Sequence, residues 1–152
     1  MSLSPLLNRH QIREKALQAI FQIRSNPELE RDEAIKMALL SDLEDTDEQA
    51  ALPNEPYLRN LVDGVLDNES AINEAFKPYL KKFKLERLAK ADVIILQMAT
   101  YEMVFANNEE VPQAVALNEA IELAKKYCED SSRKFINGVL SNLMKEAKNL
   151  ND

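Results

Sequence analysis

With 152 residues, 45% of them hydrophobic and only one cysteine, the chain is the size of a single domain that builds its core without disulfide staples. A net charge of −7 speaks against a body that is basic all over, and two glycines in the whole chain argue against phosphate-cradling loops and turn-rich β architectures. The longest aliphatic run, Val93–Leu96, falls far short of the roughly 20 residues that span a bilayer, and Met1–Arg9 lacks a basic start followed by a long apolar stretch, so a cytoplasmic protein with no membrane partner is expected.

Helical period runs through the chain. Ile12, Ala16, Ala19, Ile20 and Ile23 form one stripe, predicting a first helix over about 8–25. Asn26-Pro27-Glu28 reads as a fresh cap with Pro at the first helical position, and a second helix runs to about Leu40. Residues 41–55 are acidic and broken by Pro53, a linker rather than an element. Pro56 opens a third helix with Leu58, Leu61, Val62, Val65 and Leu66 inward, and a fourth covers about 70–80. The longest helix is expected at 85–106, buried on all sides around Val93–Leu96. A sixth spans Gln113 to Tyr127, and Ser131 or Ser132 caps a seventh whose stripe is Ile136, Leu140, Leu143, Ala147 and Leu150. The predicted fold is all-α, with seven helices in one domain: N-terminal helices over about 8–40, the linker, and C-terminal helices over about 56–148.

Residues 61–68 (LVDGVLDN) echo residues 135–142 (FINGVLSN). Each places a glycine opposite its apolar stripe, where it costs about 1 kcal/mol against alanine. Close approach of backbone or ligand at both glycines is the expectation, against chance similarity of two short amphipathic helices.

Charge is uneven. Residues 1–27 set Arg9, Arg13, Lys15 and Arg24 against Glu14 alone, residues 28–55 set ten acids against Arg31 and Lys36, and residues 77–90 set six cations against Glu86. The basic stretches are either a polyanion site or solvated helix faces. Little in the sequence suggests catalysis. His10 has no partner for a triad, Cys128 cannot form a CxxC motif, and there is neither a Walker loop nor a GxGxxG run, so no enzyme, metal or cofactor is expected.

Three aromatic–basic groups stand out. In the first helix Phe21 falls about 160° from the stripe centre at 100° per residue, near Arg13 and Gln18. It suits either stacking on single-stranded RNA or packing against a second helix. Phe135 follows Arg133 and Lys134 in a helix's first turn, a place for phosphate. Tyr79 stands within Lys77-Pro78-Tyr79-Leu80-Lys81-Lys82.

Residues 13–22 (REKALQAIFQ), 85–88 (LERL) and the C-terminal pattern Val111-Pro112…Val115-Ala116-Leu117-Asn118-Glu119-Ala120-Ile121-Glu122-Leu123-Ala124, then Lys134-Phe135-Ile136-Asn137-Gly138-Val139-Leu140, resemble the NusB transcription antitermination family. The likeness runs in order over about residues 9–143. It implies two packed helical subdomains and no catalysis. It also implies binding of boxA RNA in ribosomal leader transcripts together with NusE, the small-subunit ribosomal protein, and through that complex RNA polymerase and other Nus factors. Carried over by position, the RNA-binding residues are Arg9, Arg13, Gln18, Phe21, Tyr79 and Phe135, extended to Lys134 and Asn137. Family arginines are absent where this chain has Asp92-Val93-Ile94-Ile95-Leu96-Gln97, which predicts weak RNA binding alone, rescued by NusE. A homodimer that hides the basic first helix is compatible with the sequence and would be autoinhibitory. The competing reading is a non-catalytic protein–protein scaffold without RNA selectivity.

Overall fold

A computed structural model describes residues 7–41, 56–106 and 111–150, with side chains up to 146. Among the described residues there are seven α-helices and no strand: α1 (Arg9–Ser25), α2 (Arg31–Leu40), α3 (Pro56–Asp67), α4 (Glu69–Phe76), α5 (Lys90–Thr100), α6 (Gln113–Tyr127) and α7 (Asp130–Leu150). The all-α expectation holds. Two compact units divide within α3, one up to Asp63 and the other from Gly64. The acidic linker lies outside the described residues apart from Ser41, and the side chains of Ala147 and Leu150, expected in the stripe of the last helix, lie outside the described ones.

In the first unit a capping box starts α1. Asn8 Oδ1 accepts the Gln11 N–H at 2.8 Å while Gln11 Oε1 accepts the Asn8 N–H at 2.9 Å, satisfying donors that a helix start leaves open. Ile12, Ala16, Ala19 and Ile20 are buried as the stripe requires. Leu17, Arg13 and Lys15 are buried too, so the covered arc is wider than one stripe. Asn26 does not cap the second helix. It closes α1 and makes a turn, its side chain accepting the Glu28 N–H at 3.3 Å and its carbonyl the Leu29 N–H at 3.0 Å, and α2 begins only at Arg31. α2 packs Ala34, Ile35, Ala38 and Leu39 inward beside α1. Across its outer edge, Arg31 pairs with Asp63 at 2.9 Å, and Arg59 pairs with both Asp63 and Asp32.

The second unit is built around α5, which packs against α4, α6 and α7. Ile94 through Thr100 are all buried, as an apolar run in a bundle centre should be. The single long helix expected over 85–106 is instead three pieces. Leu85–Arg87 is one 3₁₀ turn, Leu88 and Ala89 are extended, and beyond Thr100 the chain widens into a π-turn over Tyr101–Phe105. Leu85 and Leu88 are only half-buried, a thin apolar footing for further α-helix there. The longest described helix is α7, and Ser131 and Ser132 lie inside its first turn rather than capping it. After α4, Lys77–Leu80 tightens into a 3₁₀ helix with Pro78 in its first turn, where a missing N–H costs nothing.

The two echoed glycines part company. Gly64 is buried, and a Cβ there would overlap the hydroxyl end of the Tyr101 ring, so close approach is its reason. Gly138 is exposed with nothing within 4 Å, and the expectation fails at that position. Gly64 also sits on the covered side of α3, not opposite its stripe.

Candidate nucleic-acid interface

In the first unit, α1 carries Arg9, Arg13, Gln18 and Phe21 over roughly 18 Å of helix. They do not share one environment. The Arg9 guanidinium stacks 3.6 Å from the centre of the Tyr57 ring, with Arg9 itself exposed. Arg13 is 5.9 Å from the same ring, donates from Nη2 to the Tyr57 hydroxyl at 3.4 Å, and is only 4% exposed. Its charge is therefore turned into the unit. Gln18 is half-buried, whereas Phe21 is 38% exposed. Phe21 is exposed, as its angle from the stripe centre predicts, whereas Arg13, expected near it, is buried.

In the second unit the geometry is different. Phe83 and Phe135 meet edge to face, with ring centres 5.0 Å apart at 66°. Phe83 is 50% exposed and Phe135 half-buried. Lys82 lies 5.8 Å from the Phe83 ring, and Lys134 is exposed next to Phe135. Among the described residues no carboxylate pairs with Lys81, Lys82, Lys84 or Lys134. Arg133, by contrast, pairs with Asp130 at 3.3 Å. Asn137 is exposed and accepts from the Ser141 hydroxyl at 3.4 Å. Tyr79 is half-buried, and its hydroxyl is pushed up by burial and then by the negative charge of Glu146. Glu146 stands about 16 Å along α7 from Phe135, so Tyr79 and Phe135 approach different stretches of that helix.

Lys134, Phe135 and the Lys81–Lys84 segment thus come together, and Tyr79 stands apart. Phe83 and Tyr57 are absent from the residues expected on sequence grounds. Phe83 directly follows Lys82, the last residue of the basic run around Tyr79, and that adjacency is its signal in the sequence. Tyr57 shows no signal in sequence beyond an aromatic at a helix start.

The lone thiol is also in the second unit, where its surroundings disfavour the thiolate. Cys128, just ahead of α7, is pushed up to about 12 by burial and by hydrogen bonding to buried Asp92 of α5. No helix among the described residues is long and apolar enough to cross a membrane.

The NusB family model matches residues 10–145, nearly the whole of both units. The chain belongs to the NusB family. The transcription antitermination protein NusB of Latilactobacillus sakei subsp. sakei is 46% identical to it over 138 residues, covering 90% of this chain and 96% of that protein. Among solved structures, the NusB of T. maritima superposes with a TM-score of 0.75 at 29% identity, covering 96% of this chain and 94% of the other. A chain from the crystal structure of antitermination factors NusB and NusE in complex with dsRNA shares the fold, with a TM-score of 0.72 at 20% identity over 91% of this chain and 96% of that one. The seven helices among the described residues of this NusB-family chain fall wholly or mostly within the matched range, as do both aromatic–basic groups except Arg9.

Proposed function

We propose that this chain is a non-catalytic, cytoplasmic RNA-binding adaptor. It takes up a boxA-type ribosomal leader RNA jointly with NusE and, through that complex with RNA polymerase and other Nus factors, keeps elongation resistant to termination. The observation that carries the reading is Phe135 on the second turn of α7, not the first as the sequence suggested because the helix already starts at Asp130, half-open to solvent beside Lys134 and a lysine segment without carboxylate partners among the described residues. A ring for a base and cations for phosphates is what single-stranded RNA binding needs. Phe21, exposed on α1 with Arg9 and Gln18 on the same helix, adds a second contact of the same kind, and Asn137 is exposed two residues beyond Phe135, while Tyr79 and the buried Arg13 join the surface on the family resemblance alone. Antitermination relatives at 46% identity, and a shared fold with a structure that contains NusB, NusE and RNA, support the same reading.

Fluorescence anisotropy of a labelled boxA-type RNA against a scrambled control, with and without NusE at two salt concentrations, tests it. Selective binding that tightens with NusE is the expected result, and equal binding of both RNAs in every arm contradicts it. A protein-only scaffold is the second reading. The exposed apolar side chains Val104, Phe105 and Val115, on the π-turn and on α6, favour it, the two elements being tied by Gln113 donating to the Met103 carbonyl at 3.2 Å.

A further inference from the structure

The segment joining the 3₁₀ helix at Lys77–Leu80 to Phe83 is a tight turn with an unusual residue at its corner. The Phe83 N–H donates to the Leu80 carbonyl at 3.0 Å. Between them Lys81 has φ 57° and ψ −117°, the first corner of a type II′ turn, which glycine normally fills. Lys81 has the only positive φ among the described residues. A side chain held in such a corner is strained and persists only where its surroundings fix it. Here they do, because Leu80 on one side is buried and Phe83 on the other rests against Phe135. The strain has an evident product. It turns the chain so that a phenylalanine ring, half of it in water, stands next to Phe135 and brings lysines to its rim.

We infer that Phe83 is a base-stacking residue. With Phe135 it forms a two-ring platform that takes one unpaired nucleobase of RNA, while Lys81, Lys82 and Lys134 hold the flanking phosphates. The inference rests on the RNA-binding reading above and adds to it a contact that neither the sequence pattern nor the family likeness assigns. A nucleic acid suits this patch better than a protein. Exposed aromatics fit either partner, but lysine is depleted from protein interfaces, and a rim of cations without carboxylate partners matches a polyanion. The edge-to-face pairing also holds the Phe83 ring in place before a base arrives, so little side-chain freedom is lost on binding.

The test is a titration of the full chain and of its Phe83→Leu and Phe83→Tyr variants with a single-stranded boxA-type RNA, NusE present throughout. A parallel series uses the same RNA with one base removed at each position in turn. The half-exposed ring leaves the fold intact on substitution. Phe83→Leu is expected to weaken binding by roughly 5- to 30-fold, and Phe83→Tyr to bind as the natural chain does. At one abasic position the penalty of Phe83→Leu should vanish, because the base that the ring would carry is already gone. If Phe83→Leu binds as the natural chain does, or loses the same factor on every abasic RNA, the stacking role is overturned while RNA binding by the protein stands. If the natural chain binds none of these RNAs, the proposed function falls and this inference with it.

Discussion

At Tyr57 one ring already has its cations: Arg9 lies against it at 3.6 Å, and Arg13, almost wholly covered, donates to its hydroxyl. At Phe83 and Phe135 two rings meet each other instead, and the lysines around them point to water. In sequence the two regions look alike, basic residues a few places from an aromatic. In the folded units the first group turns part of its charge to holding α1 to α3, whereas the lysines of the second stay exposed with no carboxylate partner among the described residues. Proximity of cation and ring in sequence thus says little about which of the two uses a residue serves. Burial decides it.

That contrast can be broken by substitution. The largest effect is expected from Arg13→Ala, which removes a buried side chain together with its hydrogen bond. It should cost about 2–4 kcal/mol in urea unfolding, against about 1 kcal/mol or less for Arg9→Ala, whose stacking is exposed. Equal costs would mean that Arg13 is no more structural than Arg9. Next comes Phe21→Ala. Stability should change by about 1–2 kcal/mol, while RNA affinity falls by about 1–3 kcal/mol, since Phe21 is partly covered but more than a third open to water. A stability loss of about 3 kcal/mol or more with RNA affinity intact would make Phe21 a packing residue.

The glycines sharpen the comparison within helices of similar sequence. Gly64→Ala forces the Tyr101 ring aside, and after the gain in helix propensity a net loss of about 1–2 kcal/mol is expected. Gly138→Ala meets open space and should gain about 0.5–1 kcal/mol in thermal unfolding. The smallest effect concerns the lone thiol of the second unit. Cys128 keeps its proton in the folded state to about pH 12, so the stability it contributes is complete below its ordinary thiol range and is lost as pH rises through that window. Tyr101 and Tyr79, both raised mainly by burial, push the same way. The Tm should hold steady through neutral pH and fall in the alkaline range, with Cys128→Ser showing a shallower fall. Slow alkylation of Cys128 at mildly alkaline pH checks the same claim.

Much of the fold was legible because wide apolar stripes at helical spacing leave few alternatives. Gln113–Tyr127 came out at its predicted bounds, with Pro112 before it and lysines in its last turn. Local competition was not legible. Asn26 could cap a helix or close a turn with equal local chemistry, and the turn won because its side chain found the Glu28 N–H. Leu85 and Leu88 kept helical spacing yet lacked the burial to extend α5. At the candidate site, the aromatic and basic residue types were visible, whereas the Phe83–Phe135 contact joins segments far apart in the chain and depends on a lysine in a glycine corner. Gly64 and Gly138 are the plainest case: one pattern, two environments, and only the neighbour across the gap tells them apart.

The most direct test is photocrosslinking of a boxA-type RNA to the full chain with NusE present, followed by mass spectrometry of the crosslinked peptides. Crosslinks should fall on Phe21 and on Phe83 or Phe135, and should disappear when a scrambled RNA replaces the boxA sequence. Crosslinks confined to peptides that lack all three rings, or the same pattern with the scrambled RNA, would contradict the account.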